Sequence, residues 1–209
     1  CRPHGHRALM TPRPGSRVPS VFPYAVVGVL LALLMFGAAA FVWFGHNAGV
    51  AIGGPFTLQD GSGHTVTDRT FRGKYMLVYF GYTFCPDVCP TTLQSVANAL
   101  DALGSKADRV APIFITVDPA RDTPPVMKRY TAAFSPRLIG LTGTPEEIAR
   151  VTKEYHVYAA KHVTGPGPGD YSMDHSSVLY FMAPDGRFIA PVDEGKPQRM
   201  AADMAKLMS

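Results

Sequence analysis

The sequence predicts an α/β fold, a central sheet with helices on both faces, preceded by one apolar N-terminal helix. Three observations predict it. From residue 75 to residue 163, apolar runs of strand length alternate with segments of helical periodicity. The chain then closes with a strand, a turn, a second strand and a helix, an order that belongs to layered α/β proteins. Ahead of all this, Tyr24 to Gly45 is 22 residues without a charge.

That first stretch is long enough to cross a hydrocarbon core of about 30 Å. Arg2, Arg7, Arg13 and Arg17 lie only on its N-terminal side, so the positive-inside rule keeps that end in the cytoplasm. Tyr24, Trp43 and Phe44 stand near its ends, where amphipathic aromatics anchor. The competing reading is a cleaved signal peptide with Ala38-Ala39-Ala40 as the cleavage site; the apolar run continues past it through Phe41-Val42-Trp43-Phe44. Either reading exports the chain beyond Gly45. The expected organisation is a cytoplasmic segment 1–23, a single-pass anchor 24–45, a linker 46–55, and a domain 56–209 on the outer, periplasmic side of the inner membrane.

Within the domain, Phe56-Thr57-Leu58 and His64-Thr65-Val66 flank the turn cluster Asp60-Gly61-Ser62-Gly63 and read as a hairpin. Tyr75 to Phe80 is a buried strand. Thr91 to Leu103 places Leu93, Val96, Ala97, Leu100 and Leu103 on one helical face, and Gly104 ends it. Val110 to Val117 is a second buried strand. Thr123 and Pro124 open a helix to Phe134. Leu138 to Leu141 is a strand, and Thr144-Pro145-Glu146-Glu147 opens a helix to about Tyr155. Val157 to Val163 reads as a strand and 164–170, rich in glycine and proline, as a loop. Ser177 to Met182, the turn Pro184-Asp185-Gly186 and Arg187 to Ala190 form a hairpin; Pro197 to Met208 is the last helix.

The formal net charge of +4 comes from the N-terminus. Its four arginines are the only charged residues before Asp60, and the remainder carries 16 basic against 16 acidic residues. That balance argues against a nucleic-acid-binding face.

The chemistry is concentrated in Gly81-Tyr82-Thr83-Phe84-Cys85-Pro86-Asp87-Val88-Cys89-Pro90, between a buried strand and a helix. A cysteine motif at that place in a βα unit is the thioredoxin-like arrangement. Pro90 suits a first helical position, which sets Cys85 in a loop and Cys89 near the N-cap. Free amide hydrogens and the helix dipole there favour thiolates. Such a pair can close into a disulfide, structural or redox-active, or hold a soft metal. Of seven histidines, His4 and His6 lie across the membrane, His46 and His64 lie in the linker and the first hairpin, and His156 and His162 flank a strand. His175, in Met173-Asp174-His175-Ser176, precedes the strand whose leading loop faces the cysteine motif in a thioredoxin-like fold; it reads as a third ligand or as an ordinary structural histidine.

Three segments, taken together, resemble the Sco/SenC family of membrane-anchored, thioredoxin-like copper metallochaperones: the cysteine motif, Val117-Asp118-Pro119-Ala120-Arg121-Asp122-Thr123-Pro124, and Asp174-His175-Ser176-Ser177. The resemblance covers roughly residues 53 to 207. It implies copper, as Cu(I) and Cu(II), bound through Cys85, Cys89 and His175. It implies delivery of that copper to the dinuclear centre of cytochrome c oxidase, or reduction of that centre's thiols by the Cys85–Cys89 pair, which then forms a disulfide. The implied partners are the copper-accepting oxidase subunit and other copper chaperones. Two sulfurs and an imidazole suit Cu(I). Asp118 is the candidate to orient His175 as an outer partner, its alternative role being a turn residue ahead of Pro119. Arg121 and Asp122 read as a mutual pair, and Asp87 as a residue near the metal without ligating it. The competing functions are a thiol-disulfide oxidoreductase, although most of these use Cys-x-x-Cys, a peroxidase of the same fold, and a structural role in a respiratory assembly.

Overall fold

The structure, a computed structural model, describes residues 22–46 and 51–209, with side-chain surroundings for 26–40 and 51–209. Cys1, His4, His6 and the four N-terminal arginines lie outside the described residues. The chain divides into two compact units, Cys1–Gly49 and Val50–Ser209.

In the first unit, helix α1 spans Phe22–His46, 25 residues, and contains the predicted apolar stretch. Among the described residues no helix is long and apolar enough to cross a membrane.

The second unit is built on a seven-stranded sheet. Its strands are β1 (Thr57–Asp60), β2 (Thr65–Thr67), β3 (Tyr75–Gly81), β4 (Val110–Thr116), β5 (Ile139–Thr142), β8 (Leu179–Met182) and β9 (Phe188–Val192), in the order β2-β1-β5-β4-β3-β8-β9. The central pairs β3/β4 and β4/β5 are parallel, with Tyr79 opposite Phe114; the outer pairs are antiparallel. Parallel strands in a sheet covered on both sides read as unbroken apolar runs, and every residue of β4 is buried.

The helices are α2 (Val88–Leu103), α3 (Pro124–Ala132), α4 (Pro145–Glu154) and α5 (Pro197–Leu207). Gly104 caps α2 at φ +58°, a left-handed conformation that glycine adopts without cost. Thr144 closes a capping box with Glu147 ahead of Pro145. Helices α2 and α3 lie over the sheet face that carries Tyr79 and Phe114: a Cβ on Gly140 would meet Met127 and Thr131 of α3. On the opposite face Tyr155, which caps α4, packs on Phe80 at 5.3 Å between ring centres. Helix α5 packs on α2 and β9. The predicted helix-covered sheet is therefore present.

Two readings are corrected. The segment predicted as Val157–Val163 is a shorter strand, β6 (Ala159–Val163), and it does not enter the main sheet. It pairs antiparallel with β7 (Tyr171–His175), placing Ala159 opposite His175. His175 thus ends a strand rather than sitting in a loop. Strand β6 is largely exposed and β7 is half-buried, with Met173 packed against the core, and the alternation in β7 is confined to Tyr171 and Met173, too short to mark a strand.

Candidate metal centre

Strand β3 runs through the core and delivers the chain at Gly81 to a tight loop. The Cys85 amide donates to the Tyr82 carbonyl at 3.3 Å, which turns the loop back towards α2. The helix begins at Val88, three residues earlier than the periodicity predicts, so Cys89 lies inside its first turn. Pro90 is tolerated there because amide hydrogens in the first helical turn have no intrahelical acceptor. The first backbone bond of the turn runs from Thr91 N–H to the Asp87 carbonyl at 3.2 Å.

The two cysteines sit in different surroundings. Cys85 is half-buried, between exposed Phe84 and exposed Pro86. Its Sγ accepts the Cys89 amide hydrogen at 3.4 Å. Cys89 is 0% exposed, wedged beneath Gly81, where an added Cβ would fall 2.7 Å from its Sγ. Burial pushes the Cys89 thiol up to about 12, against the opposing bond to Tyr82 backbone. The helix N-terminus favours a thiolate, and burial of Cys89 opposes it in the metal-free state. Both thiols are free in this structure.

His175 completes the cluster. Its Nδ1 lies 3.1 Å from the Ser176 carbonyl oxygen. A carbonyl can only accept, so Nδ1 carries the proton and Nε2 presents its lone pair. That Nε2 is 3.5 Å from Cys89 Sγ. The imidazole stands edge-on to Tyr79 and Tyr82, with ring centres 6.4 and 5.9 Å away. Cys85 Sγ, Cys89 Sγ and a His175 ring nitrogen all lie within 4.8 Å of one another. Donors around one soft ion at bond lengths of about 2.0–2.3 Å stand at most about 4.6 Å apart, so modest side-chain rotations close the site.

Asp118 is placed differently from its predicted role. It is 4% exposed and does not touch the His175 ring. Its carboxylate pairs with Arg121 Nε and accepts the Tyr171 hydroxyl hydrogen at 2.9 Å. The ring is oriented by Ser176 instead. Arg121 and Asp122 do not pair with each other: Asp122, wholly buried, accepts from Thr83 N–H at 3.0 Å and from the hydroxyls of Thr83 and Thr116, both at 2.5 Å. Burial raises the Asp122 carboxyl above its usual range. Three further histidines of this unit stay apart from the cluster: His64 lies 3.5 Å from Asp60 in the first hairpin, His156 bonds the Ala51 carbonyl, and His162 is exposed on β6.

Behind Cys89 runs a polar chain that no sequence motif announces. The Tyr79 hydroxyl lies 3.9 Å from Cys89 Sγ and 3.2 Å from Ser177 Oγ. Ser177 donates to Glu194 at 2.7 Å, and Thr92 donates to the same carboxylate at 3.1 Å. The signal that could have found it is Tyr79 itself, because a tyrosine in a fully buried strand needs a partner for its hydroxyl.

The SCO1/SenC family profile matches residues 45–209. Protein SenC of Rhodobacter capsulatus is 46% identical over 157 residues, 75% of this chain and 70% of that protein. The mitochondrial SCO1 homologue of Homo sapiens is 39% identical over 170 residues, 78% of this chain and 55% of its own length; Schizosaccharomyces pombe sco1 is matched over 53% of its length, so the chain spans about half of these two. Among solved structures, copper-bound ScoI of Bradyrhizobium japonicum is 50% identical with a TM-score of 0.69, covering 75% of this chain and 99% of that one. Copper-bound yeast Sco1 is 38% identical with a TM-score of 0.68, covering 75% of this chain and 87% of that one.

Proposed function

The chain belongs to the SCO1/SenC family, and from that premise we propose that it is a membrane-anchored copper chaperone that loads the dinuclear copper centre of cytochrome c oxidase. Copper is its cargo, held by Cys85, Cys89 and His175. The observation that carries this reading is the convergence of two sulfurs and an imidazole nitrogen within 4.8 Å. Two thiolates and one neutral imidazole match Cu(I) in low coordination, and the same set accepts Cu(II) with added ligands. Release proceeds by ligand exchange. A thiol of the accepting subunit approaches through half-buried Cys85, the more accessible of the two sulfurs, and displaces the ligands one at a time. The anchor 24–45 confines the site to the outer face of the inner membrane, where an oxidase subunit presents its thiols.

The test is a copper titration of the reduced full chain in detergent. One copper per chain is expected, with an intense sulfur-to-copper charge-transfer band in the Cu(II) form. Replacing Cys85, Cys89 or His175 by Ala should abolish stoichiometric binding or weaken it by at least about tenfold. A His175→Ala protein that holds copper with undiminished affinity removes the proposal.

A second reading rests on the free Cys85 thiol beside the first turn of α2. In it the pair reduces a disulfide in the oxidase subunit. Cys85 attacks one sulfur of the target, a mixed disulfide forms, and Cys89 releases it as a Cys85–Cys89 disulfide and two target thiols. Rapid turnover of a disulfide substrate by the His175→Ala protein would favour this reading over copper transfer.

A further inference from the structure

The hairpin that carries His175 forms a two-stranded sheet of its own, unpaired with the main sheet. Something other than strand pairing must fix the imidazole over the cysteines. We propose that Arg121 is the positioning residue: it clamps Tyr171 at the start of β7, and the strand transmits that position to His175 at its end. The proposal rests on the copper-site reading above.

Arg121 and Asp118 lie in the loop between β4 and α3, next to a strand whose residues are all buried. Asp118 is held there by its own amide hydrogen, which bonds Thr116 Oγ1 at 2.9 Å. From this base Arg121 Nη1 donates to the Tyr171 carbonyl at 3.0 Å. The guanidinium carbon stands 3.7 Å from the centre of the Tyr171 ring. The Tyr171 hydroxyl returns to Asp118, and Asp118 pairs with Arg121 Nε. Two side chains, Arg121 and Asp118, thus close a ring with Tyr171, the first residue of β7.

The same guanidinium also reaches the cysteine loop. It lies 4.6 Å from the Phe84 ring centre and 5.7 Å from that of Tyr82; Phe84 precedes Cys85. One nearly buried side chain, 15% exposed, therefore touches both halves of the site. Its Nη2 is buried without a hydrogen-bond partner. The planar fork is used here for stacking and for two directed bonds, a combination lysine cannot supply. Tyr171 and His175 are four strand steps apart, roughly 13 Å, along a ladder paired at all five positions. With Nε2 only 3.5 Å from Cys89 Sγ, a small swing of the hairpin carries the imidazole out of reach.

The experiment compares the full chain with Arg121→Ala, Arg121→Lys and Tyr171→Phe. Hydrogen exchange on the reduced, metal-free protein is expected to accelerate by about tenfold or more at the β6–β7 amides in Arg121→Ala, with β3 and β4 unchanged. Arg121→Lys should behave like Arg121→Ala despite keeping the charge. Tyr171→Phe, which removes only the bond to Asp118, should give a local acceleration of about fivefold, and decides the matter should Arg121→Ala fail to fold. Copper affinity should fall by about tenfold in Arg121→Ala, and the residual, weaker copper binding of a His175→Ala protein should fall no further when the same change is added, because Arg121 acts through that ring. Unchanged exchange in the hairpin overturns the clamp, and so does an equal loss of affinity with and without His175. Failure of the unaltered chain to bind copper would instead count against the proposed function, while the exchange measurement would still decide the clamp.

Discussion

Cys85 and Cys89 differ in burial, and that difference sets how copper and protons compete. With its thiol pushed up to about 12, Cys89 is protonated in the metal-free protein throughout the physiological range. Copper must displace that proton. As pH rises towards 12 the competing proton becomes scarcer, and apparent affinity climbs by about tenfold per pH unit on account of this group alone. Titration calorimetry in buffers of different ionisation enthalpy, between pH 7 and 9, should record one proton released from Cys89 per copper bound. Any copper that a Cys89→Ala protein still binds should release one proton fewer. A pH-independent affinity would mean that Cys89 is already a thiolate. The sequence points towards a thiolate because helix position is visible in it while the packing of Gly81, Tyr79 and Phe114 around the sulfur is not. The His175 contact is a similar case. Its place in the chain names the residue, but the Ser176 carbonyl that sets its tautomer belongs to a backbone no side-chain pattern announces.

Among the elements, those legible in the sequence are the ones with a buried face or a local cap. Strands β3 and β4 announce themselves as apolar runs because the parallel sheet covers both their sides. Helix α4 is marked at its start by Thr144 and Glu147. The β6–β7 hairpin carries only a faint mark, since β6 is largely exposed and β7 offers just Tyr171 and Met173 as apolar residues on one face. Helix α2 starts earlier than predicted because Pro90 lacks an amide hydrogen that the first turn does not use. The meeting of β3 with that first turn is also where the elements constrain the metal site. A Cβ at residue 81 would fall 2.7 Å from Cys89 Sγ and 2.8 Å from the Phe114 ring, closer than real Cβ atoms come. Gly81→Ala must therefore push α2 away from the end of β3. Overpacking of this kind costs about 1–3 kcal/mol, measurable by urea denaturation of the metal-free protein. Copper affinity should fall with it, since the displaced atom belongs to the proposed ligand set. Full stability and full affinity together would show that the first turn of α2 is looser than its packing indicates.

At the scale of the whole molecule, the arrangement of charge separates the two units. The basic excess lies ahead of Tyr24, the apolar stretch comes after it, and the unit Val50–Ser209 carries its own core: Val78, Phe80, Phe114 and Phe181 are all 0% exposed. A side chain of that size contributes roughly 1.5–3 kcal/mol when fully buried, so this unit has the means to fold without residues 1–49. Residues 51–209 expressed alone should therefore be soluble and bind copper with the affinity of the full chain. The full chain should remain with membranes through alkaline carbonate washing, because an uncharged stretch of 22 residues is costly to withdraw from hydrocarbon. Orientation gives the sharper test. In intact bacterial cells made permeable only at the outer membrane, a membrane-impermeant maleimide should label half-buried Cys85, and prior loading with copper should block that labelling. A chain labelled only after the inner membrane is opened has its metal site in the cytoplasm, away from the thiols of an exported oxidase subunit, and the loading role would then have no access to its acceptor.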